Sequence, residues 1–386
     1  MVPIRSARRA GLVAAVAAVP VALAYRFALL YRVRAGYPRR HPPVWTPDAL
    51  GLPYEALEVP TTDGLRLPAW FIPAGSAPAP GVVLVHGWES ARDRTLPHAL
   101  VLHAAGFHVL TFDVRGHGSN GPETLPMSVG EFAADAGAAV AALAARPDVS
   151  RVAILGHSMG AAGALVAAAA DPGVAAVVAV ATPADSYRLT RQTFRLARLP
   201  LPDPIAWPLA WLTTRVYLRP RGHTVASVNA TRAVREIDAP VLLVHGDQDG
   251  AVPVAHLGKL AAARRASRPQ AVTETMVVAG GRHSWLYEFP AYRATVARFL
   301  AAALGGPLAP DEAAAIAEGV PAVRLPEPER LTALDEEPGG FRSLAGLLRR
   351  REMPRASGVV AAVDTPSTGA SAAETTRVPE PGALTR

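Results

Sequence analysis

Ten residues, Arg151-Val-Ala-Ile-Leu-Gly-His-Ser-Met-Gly160, constrain the fold of this chain more than any other stretch. Val152 to Leu155 is a short apolar run that reads as a buried strand, and it ends in Gly156-His157-Ser158-Met159-Gly160. A serine between glycines at this spacing sits on a sharp strand-to-helix turn, where a Cβ on either side would clash. The predicted helix after it, Met159 to about Ala170, opens with Gly160, Ala161, Ala162 and Gly163. Those residues are small enough to let a helix lie close to a sheet, and Asp171-Pro172-Gly173 stops it. Five letters can match by chance, so the neighbouring segments have to agree.

They do. Tyr54–Val59 and Leu65–Ile72 read as strands around Thr61-Thr62-Asp63-Gly64, an Asp-Gly hairpin turn. Gly81-Val-Val-Leu-Val85 is a continuous apolar run, as in a central strand covered on both faces. A helix from Pro97 to Ala105, a strand from Phe107 to Phe112 and a helix from Glu131 to Ala145 precede the serine turn. Strands at Val174–Val180, Pro240–His245 and Ala271–Val278 follow it, then a helix over Pro290–Leu304 with Tyr292, Val296, Phe299 and Leu300 on one face. Strand and helix alternate, which predicts an α/β fold with a mostly parallel, doubly wound sheet whose ligands sit at the carboxyl ends of the strands.

Four motifs fall at predicted strand ends: His86-Gly87-Trp88, Asp113-Val-Arg-Gly-His-Gly-Ser119, Gly156-His157-Ser158-Met159-Gly160, and His245-Gly-Asp-Gln-Asp-Gly-Ala-Val-Pro253 followed by His283. In that order they resemble the α/β-hydrolase fold family, in particular its monoacylglycerol-lipase-like and serine-aminopeptidase-like members, over roughly residues 54 to 303. Serine is a weak nucleophile at its free pKa and needs a base, which in turn needs an orienting acid. The expected set is Ser158 as nucleophile, His283 as base and Asp249 as acid, in the chain order of this fold. Asp247 shares the loop with Asp249; the resemblance favours the aspartate before x-x-Val-Pro, which is Asp249. Backbone N–H groups of Trp88 and Met159 are the expected oxyanion donors. Asp113 and Arg115 read as loop braces and Asp135 as an ordinary helix residue. A serine at position 158 argues against the haloalkane and epoxide branches, which the resemblance says use aspartate there. Neither a phosphate-binding glycine loop nor a His/Glu metal spacing occurs, so no cofactor and no metal is expected.

Between Thr182 and Asp238 large apolar residues, among them Phe194, Leu196, Trp207 and Trp211, alternate with prolines. The resemblance implies a helical lid here, about 182–238, lining an apolar acyl pocket. The α/β domain is expected at 54–304, after a proline-rich linker at 35–53. Residues 1–34 carry an apolar run from Ala10 to Tyr25, continued after Arg26 to Tyr31. That length fits a membrane anchor if Arg26 snorkels, with the five arginines from Arg26 to Arg40 placing the domain on the cytoplasmic side. A cleaved signal peptide ending at Ala22-Leu23-Ala24 is the alternative. Eight arginines precede the first acid, Asp48, while the whole chain is only +7. The basic charge is therefore local and does not mark a nucleic-acid-binding face. Cysteine is absent, excluding disulfides and thiolate metal sites. Residues 305–386 are rich in Pro, Ala, Gly, Ser and Thr and are expected to be mostly disordered, with Phe341, Leu344, Leu347 and Leu348 spaced for one face of a short helix ahead of Arg349-Arg350-Arg351. The leading expectation is a membrane-associated serine hydrolase acting on a small hydrophobic acyl substrate through an ester, thioester or amide bond. A catalytically silent scaffold, or an acyltransferase or perhydrolase using the same residues, are the alternatives.

Overall fold

Apolar runs rich in Val, Ala and Leu become the strands of a single eight-stranded sheet. The computed structural model describes residues 4–197 and 199–325, all within one compact unit. The strands are β1 (Glu55–Pro60), β2 (Arg66–Ile72), β3 (Ala79–Val85), β4 (His108–Phe112), β5 (Val149–His157), β6 (Val174–Val180), β7 (Val241–Gly246) and β8 (Thr273–Val278). Their order is β1-β2-β4-β3-β5-β6-β7-β8. The β1–β2 hairpin is antiparallel, β2 runs antiparallel to β4, and β4, β3 and β5 to β8 are parallel. Every position of β3 and β7 is buried, as strands covered on both faces require.

The helices are α1 (Ile4–Ala35), α2 (Leu96–Ala104), α3 (Val129–Ala144), α4 (Met159–Ala170), α5 (Ser186–Leu196), α6 (Asp203–Leu218), α7 (Ala230–Ala233), α8 (Ala255–Ser267), α9 (Pro290–Leu304) and α10 (Pro310–Gly319). Apolar residues of α3, α4, α7 and α8 fill the core on one face of the sheet, and those of α2, α9 and α10 fill the other. Helix α3 starts where the sequence supplies a capping box: Ser128 Oγ accepts the Gly130 N–H and Glu131 Oε2 accepts the Ser128 N–H. The register pairs Val85 with Gly156, His157 with Val180, and Gly246 with Val278. Five parallel strands and the loops that carry the sequence motifs therefore end at one edge.

Four sequence expectations change. Residues 4–35 form one helix, but among the described residues no helix is long and apolar enough to cross a membrane, so the spanning anchor expected for residues 1–34 finds no support. The last turns of α1 are committed to protein contacts instead: Phe27 and Tyr31 pack on Phe194, and Arg32 donates to the Val216 carbonyl. The segment 35–53 is not a bare linker. Backbone N–H groups of Val44 and Trp45 donate to the buried Asp93 carboxylate, and that of Arg39 donates to Glu89. Residues 182–238 do form a helical insertion between β6 and β7, but Trp207 and Trp211 face outward at 40% and 51% exposure. Within the stretch expected to be mostly disordered, residues 310–319 are instead ordered: α10 packs on α9 and buries Ala313, Ala314 and Ala317. Arg293 of α9 donates to the Ala317 and Glu318 carbonyls of α10. The expected helix near residues 341–351 lies outside the described residues.

Candidate active site

Strand β5 hands directly into α4 through Ser158, whose φ of +55° and ψ of −119° are rare for a residue with a side chain. Such a conformation costs on the order of 1–3 kcal/mol and persists only where the surroundings enforce it. Here they do. A Cβ on Gly156 would lie 2.5 Å from the Gly160 carbonyl oxygen, and one on Gly160 would lie 2.4 Å from the carbonyl oxygens of both Val85 and His86. The turn is thus pressed against the end of β3, and the Ser158 N–H donates to the Val180 carbonyl at 2.9 Å.

The end of β8 brings His283 to this serine. His283 Nε2 lies 3.0 Å from Ser158 Oγ, and His283 Nδ1 lies 2.7 Å from Asp249 Oδ2. A carboxylate can only accept, so Nδ1 carries the proton and Nε2 offers its lone pair to the serine hydroxyl. Asp249 Oδ1 accepts N–H groups of Ala251 at 2.9 Å and Val252 at 2.7 Å, and His245 Nε2 lies 3.2 Å from Oδ2. Burial opposes ionisation of this carboxyl, but His283, His245 and the Val252 N–H outweigh it and hold Asp249 well below the usual carboxylate range. Asp247 does not meet the histidine; its Oδ1 accepts the Gly280 N–H at 2.8 Å and braces the turn ahead of His283. Of the two loop aspartates, Asp249 is therefore the one in the array.

Ser158, His283, Trp88 and Met159 line one cavity of about 370 Å³. Met159 is the first residue of α4, where helical N–H groups have no carbonyl partner within the helix. Arg282 is exposed and does not line this cavity. Asp113 and Arg115 brace the neighbouring loop: Asp113 accepts N–H groups of Arg92 and Ser119, and Arg115 bridges Asp135 and Asp63. Asp135 is therefore a buried ion-pair partner (it read as a plain helix position in the sequence). Among the described residues no cluster of three or more His, Asp or Glu side chains could hold a metal.

Three further features support the site, of which His86 and His157 lie within motifs already singled out in the sequence. His157, inside the turn motif itself, has Nε2 2.7 Å from the His283 carbonyl and its ring centroid 4.9 Å from that of His283. Burial pushes His157 down to about 3, so it stays neutral and donates that hydrogen bond. His86 accepts the Val114 N–H at Nε2 and packs beside His117, which in turn packs against Trp88. Tyr31 and Ala35 of α1 also line the cavity, and nothing in residues 1–34 pointed to a site.

Residues 76–219 match the family model described as serine aminopeptidase, S33. The fold is similar to that of an esterase from Pyrococcus furiosus, with a TM-score of 0.57 at 23% identity, covering 70% of this chain and 98% of the esterase. The chain has the α/β-hydrolase fold. Among relatives of this α/β-hydrolase-fold chain, an uncharacterised Mycobacterium tuberculosis protein is 33% identical over 210 residues. That match takes in 53% of this chain and 65% of the relative's length, so the chain spans less than two thirds of it. The alpha/beta hydrolase domain-containing protein WAV2 of Arabidopsis thaliana is 29% identical over 299 residues, 74% of this chain and 90% of its own.

Proposed function

We propose that this protein is a serine hydrolase that cleaves an ester bond, or a thioester or amide bond, of a hydrophobic substrate through an acyl-serine intermediate. One observation carries the reading: the unbroken array from Ser158 Oγ to His283 to Asp249, at 3.0 and 2.7 Å, on three strand-end loops. His283 Nε2 takes the Ser158 proton as Oγ attacks the substrate carbonyl, and later gives it to the leaving group. Asp249 keeps the imidazole tautomer fixed and stabilises the imidazolium. Backbone N–H groups of Met159 and Trp88 receive the developing oxyanion, each worth about 10²–10³ in rate. Water, deprotonated by His283, then releases the acyl group.

Ester cleavage is favoured over peptide trimming by the cavity wall. Val85, Leu155, Leu189, Leu196 and Leu218 supply apolar surface. Glu89 is the one carboxylate among the described residues lining this cavity, and its Oε1 accepts the Arg39 N–H at 3.0 Å. Helices α5 and α6, which contribute Leu189, Leu196 and Leu218, act as the lid on this reading. The test is labelling by a fluorophosphonate probe. Wild type is expected to label and Ser158→Ala is not; a folded wild type that does not label overturns the proposal.

A further inference from the structure

Helix α1 lies outside the residues that match the family model, yet Tyr31 and Ala35 face the same cavity as Ser158 and His283. Tyr31 is held there by both ends. Its Oη is 2.8 Å from Thr193 Oγ1, and Thr193 donates in turn to the Thr190 carbonyl at 2.7 Å. The Thr190 and Thr214 hydroxyls meet at 2.9 Å and tie α5 to α6 directly below this contact. The Tyr31 ring stands edge-on to Phe194 with centroids 5.9 Å apart, and 6.1 Å from the ring of Tyr217. Tyr217 Oη donates to the Met127 carbonyl at 2.5 Å, with the Ala35 carbonyl 3.2 Å away. A ring packed between two others and hydrogen-bonded at its tip cannot swing aside without leaving hydroxyls unpaired in a buried setting. The wall it forms therefore has a fixed shape.

We propose that Tyr31 sets the size of acyl group the cavity accepts, which makes the N-terminal helix a specificity element of the site. This inference rests on the acyl-serine reading above. Removing the ring would extend the cavity into the space between α1, α5 and α6, whereas an indole would shorten it. Each methylene gained or lost against an apolar wall changes discrimination by about tenfold or more.

The experiment measures kcat/KM of the full chain for p-nitrophenyl butanoate and p-nitrophenyl dodecanoate, and follows their ratio. Tyr31→Ala is expected to raise the dodecanoate-to-butanoate ratio about tenfold, Tyr31→Trp to lower it about tenfold, and Tyr31→Phe to keep it near wild type. A structural role alone does not move the ratio in opposite directions. Should Tyr31→Ala fail to fold, Tyr31→Trp and Tyr31→Phe still decide. An unchanged ratio in folded variants, a parallel loss on both esters, or an equal shift in Tyr31→Phe overturns the proposal. Wild type that takes up no fluorophosphonate sinks the hydrolase reading and this inference together. Wild type that labels, with a flat ratio across the variants, sinks this inference alone.

Discussion

At the scale of single residues, the site works by geometry that leaves little slack. On the proposed acyl-serine reading, Ser158→Ala is expected to lower kcat by a factor on the order of 10⁶, because a nucleophile and its base act as a unit. Asp249→Asn keeps the shape but offers His283 an N–H where it needs an acceptor, and an amide in this place costs about 10⁴ in kcat. Steady-state kinetics on a p-nitrophenyl ester read both. His157 tests the support of the array. Its Nε2–H pins the His283 carbonyl, so His157→Leu frees the loop that carries the base. The expected result is a kcat lower by about 10², since small misplacements of a reacting group cost that much, with KM little changed. An unaltered kcat would make His157 a packing residue only. The contacts among Ser158, His283 and Asp249 were legible in the sequence because each follows a strand in the chain order of the fold. The bracing by His157 was not, although it sits within the same five residues. A motif says where a side chain starts, and the partner of His157 is 126 positions away.

Elements show the same division between what a pattern reveals and what only packing reveals. The parallel strands were readable because strands covered on both faces must be apolar throughout, and β3, β6 and β7 are written that way. Helix α8 went unread, although Leu257, Leu260 and Ala261 carry helical spacing. Its exposed positions and its lack of a capping side chain weaken the pattern. Helix α10 was hidden by composition. A segment rich in Ala and Pro buries too little to fold alone, and it is ordered here because α9 offers a partner. Arg293 makes that partnership specific by donating to carbonyls at both ends: Tyr287 and Glu288 before α9, Ala317 and Glu318 in α10. Arg293→Ala leaves the buried Ala317 and Tyr287 carbonyls and the part-buried Glu288 and Glu318 carbonyls without their charged donor, and is expected to cost about 2–4 kcal/mol in guanidinium unfolding. A loss under 0.5 kcal/mol would mean that alanine packing alone holds α10. The turn between β5 and α4 is equally demanding. Gly160→Ala drives a methyl into the Val85 and His86 carbonyls, and its expected cost is about 3 kcal/mol or more in the same experiment.

Over the whole molecule, the histidines set how the fold answers to acid. Six of them, His86, His98, His108, His117, His157 and His256, are lowered from the ordinary histidine range, in each case chiefly by burial. His86, His98 and His256 are pushed down to about 4, and His117 and His157 to about 3. Unfolded histidine titrates near 6.5. Between pH 6.5 and 4 the unfolded chain therefore binds protons that the native fold refuses, and stability falls as pH falls. The stability these groups contribute is complete above 6.5 and is lost as pH drops toward their folded values. Three carboxyls work in the opposite sense: burial raises Asp93 and Asp113, and lifts Asp135 to about 6 even against Arg115. Six histidines can together give a slope of at most about 8 kcal/mol per pH unit, and the three carboxyls reduce it without reversing it. The guanidinium midpoint is therefore expected to be flat from pH 8 to 7 and to fall steeply below 6.5. His256 isolates one contributor, since its Nδ1 only accepts the Ala184 N–H at 2.8 Å. His256→Gln removes that titration and is expected to flatten the slope by about 1.4 kcal/mol per pH unit. A midpoint that stays constant from pH 7 down to 5 would show that the carboxyls, not the histidines, govern the acid response. A variant slope equal to wild type would show instead that His256 takes up its proton without unfolding.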